Sequence, residues 1–330
     1  MDIEKWSLRV GVTALACAVL FRLGCNGVFQ AAAQALTSPN AMAVMMFLES
    51  GRVMRPAPVV QPEKTEPAVP SQTPVEAVPV QAVFAEQDVA LVSVNSYCGY
   101  DTDVQTFLQK PLNWDLTQKK PTVLIVHSHG SESYEKTPDY QECSRYRTLD
   151  TNYNMVSVGE ELKRVLEEGG ITVLHDTAMH DQPSYSASYS QSRKSVKEYL
   201  QKYPSICFVL DLHRDAVEDS QGKQLAFTAE HEGKTVAQLM LVVGTDVRLS
   251  HPQWPENMSL AVKLHALLEK NFPGICRPIS FRAQRFNQDL SPGALLVEVG
   301  SAGNSREEAL AAAQVLGRTI LELSGGAIVQ

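Results

Sequence analysis

Val123-Leu-Ile-Val-His127-Ser-His129-Gly130-Ser-Glu132-Ser-Tyr134 opens as an uninterrupted aliphatic run and closes as a cluster of polar side chains. Aliphatic residues without alternation predict a strand buried on both faces, as in a parallel sheet covered by helices. Gly130 stands where the chain must turn. Side chains delivered at the carboxyl end of such a strand face the crevice where open α/β sheets bind ligands. Two imidazoles and a carboxylate at that place therefore point to chemistry rather than packing.

Outward from this segment, short apolar runs alternate with helical patterns, which predicts an α/β domain of three layers around a mostly parallel sheet. Strands are expected at 122–126, 171–174, 206–210, 238–243 and 294–299. Further strands at 225–229 and 275–281 flank charged residues and are expected on sheet edges. Helices are expected at 154–168, 190–203, 255–271 and 305–323. The first carries Met155, Val158, Leu162, Val165 and Leu166 at helical spacing and stops at Gly169-Gly170. Pro255 suits a helix start, and Asn304 is expected to cap the last helix.

The amino end differs in kind. Arg9 precedes twelve uncharged residues, then come Arg22 and a second uncharged stretch to Leu36. Read through Arg22, the segment is long enough to span a bilayer, which needs about 20 residues. A cleaved secretory signal, suggested by Ala31-Ala-Ala, and a soluble amphipathic helix compete with this anchor. Length and flanking charge favour the anchor, with Lys5 and Arg9 on the cytoplasmic side. Prolines recur from Pro56 through Pro79, so that stretch has the composition of a semi-rigid extended spacer. The expected organisation is a cytoplasmic start and transmembrane anchor at 1–37, an extracytoplasmic linker at 38–88, and a catalytic domain at 89–330.

A formal net charge of −8 argues against nucleic acid as a partner, because that binding needs dense Lys and Arg. The six cysteines include no Cys-x-x-Cys pair, which excludes thiolate zinc fingers. Cys98 and Cys143 pair in one reading and are buried free thiols in another.

Three of the expected strands end in polar groups: His127, His129 and Glu132; then Asp211, His213, Arg214 and Asp215; then Glu298 inside Leu-Leu-Val-Glu-Val-Gly. Parallel strands bring their carboxyl ends to one sheet edge, so these groups can meet. Two imidazoles and a carboxylate form a zinc-hydrolase ligand set, and a second carboxylate can serve as base. Glu298 between Val297 and Val299 would be costly to bury unpaired. A serine hydrolase lacks support, since no G-x-S-x-G turn follows the first strand. Tyr185, Tyr189, Tyr199 and Tyr203 read as packing residues, and the serine-rich 184–195 reads as either a rim over the cleft or a helix cap.

His-Ser-His-Gly-Ser-Glu-Ser-Tyr, Asp-Leu-His-Arg-Asp, Phe286-Asn-Gln-Asp-Leu-Ser and Leu-Val-Glu-Val-Gly, followed by Asn304, together resemble the stage II sporulation protein P family from about Val89 onward. The last block is also similar to the closing motif of zinc-dependent N-acetylmuramoyl-L-alanine amidases. The resemblance implies an amidase-like fold, Zn2+ as cofactor, and peptidoglycan as substrate. It implies cleavage of the amide between N-acetylmuramic acid and L-alanine during forespore engulfment, with endopeptidase activity on cross-links. It also implies stage II sporulation proteins D and M as partners, and a single-pass membrane location with the catalytic domain outside. Carried over by position, His129 and His213 are metal ligands and Glu298 is the catalytic carboxylate. Glu132, preferred for its short reach, or Asp150 is the third ligand. His127, Arg214, Asp211 and Asn287 take substrate-binding or supporting roles. A zinc peptidase acting only on cross-links and a noncatalytic wall-binding scaffold are the alternatives.

Overall fold

The computed structural model describes residues 84–325 apart from Asn113. The expected anchor and nearly all of the proline-rich linker lie outside these residues. Among the described residues no helix is long and apolar enough to cross a membrane. A 3-10 helix, Glu86–Leu91, crosses the expected boundary at residue 89, and Phe84 and Val89 pack on the core.

Among the described residues there are nine strands: β1 (Val94–Ser96), β2 (Val123–Val126), β3 (Val173–His175), β4 (Phe208–Asp215), β5 (Thr228–His231), β6 (Lys234–Ala237), β7 (Leu239–Gly244), β8 (Ile279–Arg282) and β9 (Ala294–Ser301). The α-helices are α1 (Val104–Gln109), α2 (Met155–Glu168), α3 (Ser188–Lys202), α4 (Trp254–Asn271) and α5 (Arg306–Leu323). Seven strands form one sheet in the order β1-β8-β7-β9-β4-β2-β3. Five of its six pairings are parallel, and only β7 with β9 is antiparallel. The α/β architecture with a mostly parallel sheet is thus as the sequence predicts.

Strand alternation divides the interior into two layers. Val123, Ile125, Phe208, Leu210 and Leu212 face the main core with α2, α4 and α5. Leu124, Val126 and Val209 face the other way, onto Val196, Tyr199 and Leu200 of α3. Side chains two apart share a face. This parity decides where the polar residues further along β4 and β9 point.

The local signals act as expected at most helix ends. Asn154 caps α2 by accepting from Val156 N at 3.0 Å, and Pro255 lies in the first turn of α4. At α5 the cap is Ser305, paired with Glu308 in a capping box. Asn304 instead accepts from Ser301 N and Phe227 N at 2.9 and 3.1 Å, fastening the end of β9. Gly300 sits beside it at φ +66°, where a Cβ would come within 2.8 Å of Asn304 Oδ1.

Two strands expected on edges behave differently. β8 lies inside the sheet, because the three residues of β1, too short to stand out in the sequence, add in parallel and take the edge. The segment near 225–229 leaves the sheet and pairs as β5 with β6 in a separate antiparallel hairpin. Its alternately exposed residues offer no face for burial on both sides. Cys98 and Cys143 are both free thiols; Cys98 is half-buried and packs against the main core, and Cys143 is exposed.

Candidate active site

β4 and β9 are in register with His213 opposite Glu298. Both residues lie inside their strands, not at the ends. Leu210 and Leu212 commit one parity of β4 to the main core, so Asp211 and His213 turn to the face that carries α3. Val297 and Val299 orient Glu298 the same way. His129 arrives from the turn after β2, its ring 5.2 Å from that of His213 and nearly perpendicular to it. That turn is closed by Glu132 N on His129 O at 3.1 Å and held by Asp181, which accepts from Ser131 N at 3.2 Å. Three distant segments therefore meet on one face of the sheet.

The charges there are mostly balanced and almost dry. Burial favours protonation of Glu132, yet Arg214 and His213 beside it hold its carboxyl far below the usual range. Its Oε1 lies 3.2 Å from Arg147 and 3.7 Å from Arg214, and its Oε2 lies 3.6 Å from His213 Nδ1. Asp211 accepts from Ser128 N and Oγ at 2.8 and 2.6 Å. Its Oδ1 is 2.9 Å from His213 Nε2, but the pair is not aligned as a hydrogen bond. Burial opposes charge on His213, and Asp211 and Glu132 outweigh it, so the imidazole titrates well above its usual range. Burial lowers His129 to about 4, leaving a neutral ring at pH 7. Glu298 is pushed up to about 8, chiefly by burial and further by Glu132.

The other residues singled out in the sequence are committed to structure. His127 lies wholly buried on the opposite face, bonding Leu212 O at 3.1 Å and His175 Nε2 at 2.8 Å. Arg214 donates to Ser133 O and Tyr146 O at 2.9 and 2.8 Å, while Asp215 pairs with Arg277 at 2.7 Å. Asn287 donates to Tyr189 O and Ser192 Oγ at 2.8 and 3.2 Å, clipping its loop to α3. Asp150 accepts from Asn152 within its own turn.

Two aromatic residues that read as packing groups in the sequence stand against the histidines instead. Tyr185 is 55% exposed, yet its ring stacks on His129 at 4.3 Å, with the Arg147 guanidinium 4.5 Å from its centre. Tyr189 meets His129 edge-on at 5.4 Å and lies parallel to His213 at 6.3 Å. Burial, then Asp211, Glu298 and Glu132, hold its phenol above its ordinary range. The serine-rich run preceding and opening α3 was the available signal, since it leads this helix across the cleft.

Among the described residues no three His, Cys, Asp or Glu side chains are already grouped as a metal cage. The donor set nevertheless suits a borderline cation such as zinc. His129 Nδ1, His213 Nε2 and Glu298 Oε2 are buried atoms without hydrogen-bond partners. Unpaired buried polar atoms are costly, and three of them converging is the arrangement a ligand would satisfy.

A model of the family described as stage II sporulation protein P matches residues 58–321. The chain belongs to this family. The resemblance read from the spaced motifs therefore holds. The stage II sporulation protein P of Bacillus subtilis (strain 168) is 30% identical over 224 residues, 63% of this chain and 52% of that relative. The chain thus spans about half the length of the curated relative it matches. Similar solved structures include the N-acetylmuramoyl-L-alanine amidase AmiC2 of Nostoc punctiforme, at 17% identity, 62% of this chain, 97% of that one and a TM-score of 0.38. Another is the N-acetylmuramyl-L-alanine amidase Ami1 from Mycobacterium smegmatis, at 12%, 64%, 99% and 0.40.

Proposed function

We propose that this family member is a peptidoglycan hydrolase that cleaves the amide between N-acetylmuramic acid and L-alanine. The observation that carries the reading is the convergence of His129, His213 and Glu298 with unpartnered buried atoms on one sheet face. His129 and His213 would hold Zn2+ through nitrogen, with an oxygen from Glu132 or Asp211. Asp211 enters because its oxygen already stands 2.9 Å from His213 Nε2, whereas Glu132 is shared by two arginines. When bound, zinc supplies Lewis-acid polarisation of the scissile carbonyl and lowers the pKa of the attacking water to about 7.

The protein's own groups do the rest. Glu298, in its ionised form, accepts the water proton as the water oxygen bonds to the carbonyl carbon. It returns that proton to the amide nitrogen as the C–N bond breaks. Glu132 faces His213 Nδ1 at 3.6 Å, which would leave Nε2 for the metal. Arg214, fixed by two carbonyls, keeps Glu132 ionised.

Endopeptidase action on cross-links, association with stage II sporulation proteins D and M, and a membrane anchor with this domain on the wall side belong to the same proposal. They rest on the family and the amino-terminal sequence. The test is incubation of the full chain with purified peptidoglycan, with and without chelator. The hydrolase reading predicts new lactyl and L-alanine amine ends that chelator abolishes and zinc restores. Ends only between stem-peptide residues would favour the peptidase, and none at all the scaffold.

A further inference from the structure

We propose that Tyr189 is a catalytic residue of this site, its hydroxyl donating a hydrogen bond to the oxyanion formed when the amide carbonyl is attacked. The inference rests on the hydrolase reading. Three observations carry it.

The first is position. Tyr189 lies in the first turn of α3, edge-on to His129 at 5.4 Å, parallel to His213 at 6.3 Å, and 6.0 Å from Phe286. Its carbonyl accepts from Asn287 Nδ2 at 2.8 Å, which fixes the helix start over the sheet. The second is surroundings. The ring lies parallel to that of His213, the imidazole that Asp211 and Glu132 flank and that stands opposite Glu298 on β9.

The third is an inventory of donors. Arg147 is spent on Glu132 and Asp181 at 3.2 and 3.1 Å. Arg214 is spent on Ser133 O, Tyr146 O and Glu132. Ser128 serves Asp211, and the Asn287 amide serves Tyr189 O and Ser192. Glu132 and Asp211 are acceptors when ionised and cannot steady a growing negative charge, and the proton Glu298 takes from water is committed to the leaving nitrogen. The hydroxyl of half-buried Tyr189 bonds to no other group among the described residues. A phenol has a pKa of about 10 and is a neutral donor at working pH.

In the reaction, water oxygen bonds to the carbonyl carbon, the carbonyl π pair moves to oxygen, and Glu298 takes the water proton. The oxyanion then accepts from Tyr189 without proton transfer. Collapse restores the carbonyl, breaks the C–N bond and sends the Glu298 proton to nitrogen. Only the tetrahedral species makes this bond strongly, so the effect falls on kcat.

The test is Tyr189→Phe in the full chain, which keeps every ring contact and removes one oxygen. Release of new L-alanine ends should drop by roughly 10²-fold in kcat, the usual loss of one oxyanion donor, with KM and cosedimentation with peptidoglycan unchanged. A phosphonamidate mimic of the muramoyl–alanine amide should bind the variant more weakly than wild type by a similar factor. Full kcat and full affinity for the mimic in Tyr189→Phe, beside an active wild type, would overturn the assignment. An inactive wild type would instead remove the hydrolase reading, and this role with it.

Discussion

Replacing Glu298 with Gln should stabilise the metal-free protein, and more so as pH rises. The carboxyl titrates at about 8 in the folded chain against 4.5 ordinarily, because burial disfavours its ionised form. A folded pKa above the unfolded one means the native state holds the extra proton, so stability is greatest below the unfolded value and is lost as pH climbs to 8. At 1.36 kcal/mol per unit, the loss is about 2 kcal/mol at pH 6 and about 5 kcal/mol once above pH 8. Glutamine does not titrate. Its advantage over wild type should therefore grow by about 3 kcal/mol between pH 6 and 9, or roughly 6 to 12 °C in Tm for a domain of this size. Differential scanning calorimetry of chelator-treated wild type and Glu298→Gln at both pH values reads this. Curves that stay parallel would refute the claim that this carboxyl is shut in without a partner.

Three further outcomes follow from the same geometry. Glu132→Gln leaves Arg214 as a buried charge without its counter-ion and should lower stability at pH 7 by about 3 to 5 kcal/mol in urea unfolding. Because the Glu132 pKa is depressed, that gap should close as pH falls below the ordinary carboxylate range. Gly159→Ala sets a Cβ 2.6 Å from His175 Nε2 and 2.7 Å from His127 Nε2. It should be destabilising by about 1 to 3 kcal/mol despite alanine's better helix propensity; a stabilised variant would mean α2 does not press on the His127–His175 pair. Zinc binding should release a proton from His213, which Asp211 and Glu132 hold charged. Calorimetric titration in buffers of different ionisation enthalpy should show this release, and its loss in His213→Ala.

The fold was legible where burial on two faces leaves its mark. Val123 to Val126 reads as a central strand because every residue is aliphatic, and it is fully buried. Glu298 announced itself by the same logic, a carboxylate where the pattern demands an apolar side chain. Reading His213 and Glu298 as strand-end residues missed that β4 and β9 run on past them, paired to each other through a polar stretch. β1, three residues long, carries too little pattern to be seen. The Tyr185 and Tyr189 contacts were hidden for another reason. An aromatic ring near serines has no periodic signal for what it covers, and only the path of α3 over the sheet decides it. Asp211 as a neighbour of His213 Nε2 follows from two-residue strand parity, which was in the sequence but gave no distance.

The central claim is that one cation site lies between the His129 and His213 rings, beside Glu298. An anomalous-scattering map collected at the zinc edge from crystals of the zinc-loaded chain tests it most directly. A single strong peak is predicted there, about 2.0 to 2.1 Å from a nitrogen of each ring. A map whose zinc peak sits instead at the His127, His175 and Glu160 cluster across the sheet, or that has no peak at His129 and His213, would contradict the account.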